Sequence, residues 1–317
     1  MVAKALVLHL DFHKTIQVPK LTSQDAYFKR RLTTRLFGIF SANEKRLHAY
    51  VYPQTIGGEG PDEVISCLDL FLNTQAVCFN HLVLWADNCP AQFKENYLFF
   101  YCQYLVKTKR FSRVDLKFLL EGHTYAVCDR RFASIEAATK RFETIETPSD
   151  WIAKLNEQNI TNLVMHEVSL DIFKSFKTFL RNAYIARQKD VRGNKFAVRK
   201  LAWLNFGIGE LTNTSGTLVA KTIEDGTCFA RFTINPCEDP IKINFLKKKQ
   251  NRPLNLERLK VRYLELNPVP NIIKENCVEL ATKYLSLDAQ RYYNSLQVED
   301  KEGDVVDDDD DCAEEED

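Results

Sequence analysis

Three aspartates lie where a metal-dependent nuclease would place its acidic ligands. Asp11 follows the apolar run at 5–10, Asp87 ends a second apolar run at 81–86, and Asp129 begins a helix-like stretch. Three carboxylates that meet at one point repel one another unless a cation holds them together. The pattern therefore predicts a site for Mg²⁺ or Mn²⁺, with Asp11, Asp87 and Asp129 as ligands, for phosphoryl transfer.

Each acidic position also has a purely structural interpretation. Asp11 by itself could be a turn residue, and Asp129 by itself could be a helix N-cap, a position that aspartate favours. Glu136 lies about two turns further along the same predicted helix and competes with Asp129 as third metal ligand. His123 follows a predicted strand end, where it could orient a phosphate, carry a proton or only be hydrogen-bonded within the structure. His13 is predicted as a surface polar residue.

Polar and basic residues flank two of these aspartates. Predicted contacts to nucleic-acid phosphates are Gln92, Lys94, Asn96, Arg130 and Arg131. Amide and ammonium donors suit phosphate oxygens, although the first three could equally be an ordinary polar helix start.

The balanced net charge conceals two oppositely charged parts. Thirteen of the 43 acidic residues and one of the 43 basic residues lie in 299–317, which leaves 42 basic and 30 acidic residues in 1–298. A basic body of net +12 suits a phosphate-bearing partner, here taken to be DNA. The acidic tail is predicted to be disordered; it either keeps the protein solvated or competes with nucleic acid for the basic body.

The cysteines and the hydropathy restrict the cellular setting. Nine cysteines occur without a CxxC pair, which argues against a zinc ribbon or a disulfide framework. We therefore expect a reducing compartment, nuclear or cytoplasmic. No apolar run approaches the ~20 residues of a membrane span, so no membrane partner is expected.

The order of predicted elements indicates an α/β fold with a mixed sheet and flanking helices. The elements are a strand at 4–10, a hairpin at 35–41 and 47–52, a helix at 62–72, a strand at 81–86, a helix at 94–108, a strand at 113–120 and a helix from 129. Adjacent parallel strands would then end at Asp11 and Asp87, where such sheets usually bind ligands. This succession is that of the RNase H-like fold.

Three regions are predicted along the chain. Residues 1–150 form the RNase H-like domain, 151–298 a C-terminal α+β extension and 299–317 the disordered tail. Within the extension, 171–187 is expected to be helical, and short strands are expected within 195–218 and at 228–235.

Five segments resemble a known protein family. They are LDFHKTIQVP at 10–19, YFKRR at 27–31, EGPDEVISC at 59–67, WADNCPAQFKEN at 85–96 and GHTYAVCDRRFASIE at 122–136. The chain is similar there to the transposase-derived, RNase H-like domains found in animal genomes. The resemblance implies a DDE/D-type polynucleotidyl transferase, with its acidic motifs on Asp11, Asp87 and Asp129 and its Gly-His motif on His123.

Three functions follow as hypotheses. The first is an enzyme that cuts or joins DNA strands with divalent metal. The second is a catalytically silent scaffold of the same fold that binds DNA or a protein. The third is a 3′→5′ exonuclease, which would prefer free 3′ ends. Self-association into a homo-oligomer is compatible with each.

Overall fold

One mixed sheet runs through the protein and takes strands from both halves of the chain. The computed structural model describes residues 5–75, 78–89, 92–119, 127–207, 209–212, 218–221, 226–247, 254 and 258–299. The strands are β1 Ala5–Phe12, β2 Ile16–Val18, β3 Leu32–Ser41, β4 Arg46–Pro53, β5 His81–Ala86, β6 Arg113–Phe118, β7 Leu163–Glu167, β8 Trp203–Gly207, β9 Gly209–Thr212, β10 Leu218–Lys221, β11 Thr227–Arg231 and β12 Ile241–Asn244. The helices are α1 Gln24–Tyr27, α2 Pro61–Gln75, α3 Asn96–Lys107, α4 Val127–Arg141, α5 Pro148–Glu157, α6 Phe176–Leu180, α7 Asn271–Tyr284 and α8 Leu287–Asn294.

The sheet is mixed, and β1 lies in its interior. The strand order is β12-β11-β8-β6-β5-β1-β3-β4-β7, with β2 paired to β3 beside this path. β1 is parallel to β5, and β5 is parallel to β6. On its other side β1 is antiparallel to β3, which is antiparallel to β4. The α/β class with a mixed sheet and flanking helices is thereby confirmed.

Alternation along β1 assigns its side chains to the two faces of the sheet. Leu6, Leu8 and Leu10 are buried in the larger core, to which α2 and α3 contribute. The intervening residues, including His9 and Asp11, therefore point to the other face, on which α4 and α5 pack. The apolar alternation thus places Asp11 on the α4 face.

Helix α4 approaches the sheet closely at a glycine. Gly38 lies opposite Asp11 in the β1–β3 register. A Cβ atom at Gly38 would lie 2.7 Å from Cζ of Phe132, which is buried on α4. The absence of a side chain at Gly38 lets the Phe132 ring rest on β3, which brings the start of α4 to β1.

The second half of the chain extends the same sheet at both edges. β7 adds to β4 in parallel, and β8, β11 and β12 continue the sheet beyond β6. Only β9 and β10 form a separate two-stranded sheet among the described strands. The division into regions at 150 stays a prediction, but the later region shares its main sheet with the first.

The predicted helix at 171–187 is wrong. The structure has a 3₁₀ turn at Leu170–Ile172 and then the short α6. Phe173, Phe176 and Leu180 are buried against the main core. An apolar pattern that resembles a long helix therefore arises from a broken segment that covers the sheet. The predicted tail lies outside the described residues, apart from Glu299.

None of the helices in the described part of the chain combines the length and the apolarity needed to span a bilayer.

We expect Gly38→Ala to destabilise the protein by about 1–3 kcal/mol, because the new methyl group forces Phe132 and α4 away from β3. Gly58→Ala is the matched control, since its Cβ would meet nothing closer than 3.8 Å. Urea unfolding of both variants measures the difference. Equal stabilities of the two variants would show that α4 does not depend on this contact.

Candidate functional site

Asp11 and Asp87 are neighbours because β1 and β5 pair in parallel. Leu10 is in register with Ala86, and each is followed directly by one of the aspartates. Adjacent strands lie about 4.8 Å apart, so the two carboxylates start from neighbouring positions on one face. Asp11 lies within β1, opposite Gly38, so its interpretation as a turn residue is wrong.

Asp129 reaches this place on the first turn of α4. The helix is held over β1 by Cys128, whose thiol lies 3.5 Å from the His9 carbonyl oxygen, and by Phe132 on Gly38. Asp129 is the third residue of α4 rather than its N-cap. Its side chain is exposed and lies close enough to Asp11 to interact electrostatically.

The electrostatics of Asp11 report how the three carboxylates converge. Burial and the negative charges of Asp129 and Asp87 together raise the pKa of Asp11 to about 7. A carboxyl group with that pKa is partly protonated at neutral pH. A cation placed among the three groups would offset the repulsion and favour the ionised form.

The donor chemistry suits a hard divalent ion. Carboxylate oxygens are what Mg²⁺ and Mn²⁺ prefer, and Asp11, Asp87 and Asp129 would hold the ion. Within the described ranges, no group of three or more His, Cys, Asp or Glu side chains already has the spacing of a metal site. The aspartates therefore approach one another without forming a closed ligand set.

Glu136, the competing third ligand, faces His13. Its Oε1 atom lies 3.5 Å from Nε2 of His13. His13 is only 6% exposed, so the expectation of a surface histidine is wrong. Burial lowers the pKa of His13, and its ring packs edge-on against Phe132. His13 lies two residues after Asp11 on the same face, and that spacing is the signal that could have identified it.

The loop after Asp87 is held by internal hydrogen bonds. Asp87 Oδ1 accepts from the Asn88 backbone N–H at 2.7 Å. The Lys94 ammonium donates to Asn88 Oδ1 and to the Arg199 carbonyl, both at 2.5 Å, and Lys94 is only 6% exposed. In this arrangement Lys94 positions the Asp87 loop from inside the protein. A phosphate contact by Lys94 stays a prediction.

The other predicted phosphate contacts are dispersed around the acidic residues. Gln92 donates to Glu59 Oε2 at 2.9 Å, and Asn96 is the first residue of α3. Arg130 is exposed beside Asp129, whereas the guanidinium of Arg131 lies over the Phe40 ring at 5.7 Å. Their binding roles stay predictions. His123 lies outside the described residues.

One comparison with known proteins gives a match. A family model described as a domain of unknown function, DUF7869, matches residues 24–200, which is more than half of the chain. The match covers Asp87 and Asp129 and begins after Asp11. Comparison with curated proteins and with solved structures gives no match.

We expect the contribution of Asp11 to the stability of the metal-free protein to fall as the pH rises from about 4 to about 7. The folded state keeps the Asp11 proton over this range because its pKa is raised to about 7, whereas the unfolded chain releases it near 3.8. Asp11→Asn removes this dependence, and the variant should be up to about 4 kcal/mol more stable above pH 7.

Denaturant unfolding at several pH values in EDTA measures this effect. Asp288→Asn, at a carboxylate with a 90% exposed side chain, is the control and should follow the parent protein. Parallel stability curves for the parent and Asp11→Asn would show that Asp11 does not carry a raised pKa.

Proposed function

The chain belongs to the DUF7869 family of domains of unknown function, and from that premise we propose that it is a divalent-metal-dependent nuclease or polynucleotidyl transferase acting on DNA. In this proposal the fold is RNase H-like and of transposase origin. The metal is Mg²⁺ or Mn²⁺, and its ligands are Asp11, Asp87 and Asp129. A DNA substrate would place the active protein in the nucleus.

The strand succession supports the RNase H-like assignment. The five strands β4, β3, β1, β5 and β6 are consecutive in the sheet, with β1 parallel to β5 and antiparallel to β3. The first three in chain order, β1, β3 and β4, form an antiparallel unit, and the helical crossovers α2 and α3 lead to β5 and β6. This agrees with the succession expected from the sequence.

The observation that carries the proposal is the convergence of three carboxylates, those of Asp11, Asp87 and Asp129. Two come from neighbouring parallel strands and the third from the helix packed on them. Burial and the negative charges of Asp129 and Asp87 raise the pKa of Asp11 to about 7. A structural role does not require such repulsion, whereas cation binding would relieve it.

Each part of the chain has a separate task in this proposal. Bound metal would activate a water or a 3′-hydroxyl and stabilise the leaving oxygen. β1 and β5 supply rigid supports for Asp11 and Asp87, and α4 supplies Asp129. Lys94 positions the Asp87 loop through Asn88. Asp129 is preferred to Glu136 as third ligand, since Asp129 acts on Asp11 while Glu136 faces His13.

A catalytically silent scaffold is the second candidate function. It is favoured by the net charge of +12 over residues 1–298, which attracts phosphate polymers without any metal. Such a protein would bind DNA through its basic surface, and the three aspartates would be remnants of an ancestral site. Metal binding that depends on the aspartates separates the two candidates.

We expect the parent protein to bind Mn²⁺ in calorimetry with a DNA duplex present, and Asp87→Asn to bind it at least about tenfold more weakly. Loss of a group that only supports a metal ligand already weakens metal affinity by about tenfold to 100-fold. Asp288→Asn is the matched control and should bind like the parent. Cleavage of labelled DNA with Mn²⁺ should be lost in Asp11→Asn and Asp129→Asn, but retained in Glu136→Gln.

Other outcomes are equally informative. Equal Mn²⁺ binding by the parent and Asp87→Asn, or none by either while both fold and bind DNA, would refute the catalytic proposal and leave the scaffold. Loss of cleavage in Glu136→Gln but not in Asp129→Asn would identify Glu136, and not Asp129, as the third metal ligand. Cleavage only from free 3′ ends would identify an exonuclease.

A further inference from the structure

A row of aromatic and cationic side chains crosses the sheet on the same face as Asp11. One residue from each of five neighbouring strands lies in register with the next. The members of this row are His9, Trp85, Lys117, Trp203 and Arg231, from β1, β5, β6, β8 and β11. The row runs next to the acidic residues, because two of its members precede Asp11 and Asp87 by two positions.

The side chains of the row stack on one another. The Lys117 ammonium lies 4.2 Å from the centre of the Trp203 ring and 5.3 Å from that of Trp85. The Arg231 guanidinium lies 4.6 Å from the centre of the Trp203 ring. Trp85 is nearly parallel to the His9 ring, at 6.3 Å. Cations and ring faces therefore alternate from Trp85 to Arg231.

A buried aspartate fixes this arrangement from the adjacent row. Asp115 is 2% exposed and accepts from the Trp203 indole N–H at 2.8 Å and from Asn205 at 2.7 Å. His81 and Arg113 also contact its carboxylate at 2.7 Å. These partners hold the pKa of Asp115 well below its usual range, with burial opposing them. Trp203 is thereby fixed in orientation, and with it the two cations that lie over its ring.

Neither cation of the row has an ion-pair partner among the described residues, although Asp115 acts electrostatically on both of them and Glu238 acts on Arg231. Lys117 is half-buried against indole rings, and burial lowers its pKa. Arg231 is only 8% exposed and donates from Nε to the backbone carbonyl of Glu238. Arg113, on the same face, forms an ion pair with Asp115. A partly desolvated cation attracts an anion strongly, because water screens the interaction less.

We propose that this row is a track for a DNA strand that has a phosphate in contact with Lys117 on its way to the three aspartates. The choice of DNA rests on the proposed function. Lys117 is the diagonal neighbour of the Asp87 position, about 7–8 Å away, which suits a phosphate next to the one at the acidic residues. Arg231, two strands further on, is only 8% exposed and supports the Trp203 ring at the far end of the row.

The row suits a single strand better than a duplex. Its cations are held against ring faces at fixed positions, and half-buried Trp85 lies between them and the acidic residues. Sequence-tolerant strand binding commonly combines cations for the backbone with aromatic side chains for the bases. An acidic polypeptide could satisfy the charges alone but would make no use of the aromatic side chains.

Fluorescence anisotropy with a labelled single-stranded oligothymidylate, in EDTA and over a salt series, tests the track. We expect Lys117→Met to weaken binding on the order of tenfold. The slope of log affinity against log salt should fall by about 0.7, as for one lost phosphate contact. Lys117→Arg should retain binding. Lys283→Met on α7, with a 48% exposed side chain, is the matched control and should leave both values unchanged.

A second measurement covers the case in which Lys117→Met does not fold. Oligothymidylate should quench the tryptophan emission of the parent, and Trp85→Phe should reduce that quenching, since Trp151 is fully buried and Trp203 is only 8% exposed. Absence of quenching, unchanged binding in Lys117→Met, or a polyglutamate that binds as tightly as DNA would each overturn the track. The anisotropy experiment is run in EDTA, so its result does not depend on bound metal. Failure of Mn²⁺ binding in the calorimetry would therefore refute the catalytic proposal and leave the track.

Discussion

The parallel pairing of β1 with β5 is the constraint on which the rest of this site depends. Because Leu10 and Ala86 are in register, Asp11 and Asp87 must start from neighbouring positions on one face of the sheet. A shift of one residue in either strand would send that carboxylate into the apolar core. Burial of Leu6, Leu8 and Leu10 prevents such a shift, so the same apolar packing that stabilises the sheet also brings the two negative charges together.

This convergence is unfavourable in the metal-free protein, and the fold supports it through packing. Repulsion and burial raise the pKa of Asp11 to about 7, which means that ionising Asp11 costs stability. Helix α4 nevertheless stays on β1 and β3, because Phe132 rests on Gly38 within a buried cluster. Stability is thus given up at a small number of positions, as is common where a protein binds charged ligands.

Local sequence signals predicted those parts of the site that depend on neighbouring residues. Asp87 after an apolar strand and Asp129 at the beginning of a helix were recognisable because strand and helix periodicities are local. The burial of His13 was not predicted, since its contact with Phe132 joins residues distant in sequence, and its spacing from Asp11 was the one local signal. The row from His9 to Arg231 was beyond prediction for the same reason, since it requires the register of five strands separated by up to 222 positions in the numbering. Tertiary packing also explains why 171–187 is a broken segment and not one long helix.

In the proposed function, Asp11, Asp87 and Asp129 together bind a divalent cation. Anomalous diffraction at the manganese absorption edge, from crystals grown with Mn²⁺, tests it most directly. We expect a peak at about 2.1 Å from carboxylate oxygens of Asp11 and Asp87, with Asp129 completing the set. A peak elsewhere, or none while the three carboxylates are ordered and crystals of Asp87→Asn look the same, would contradict it.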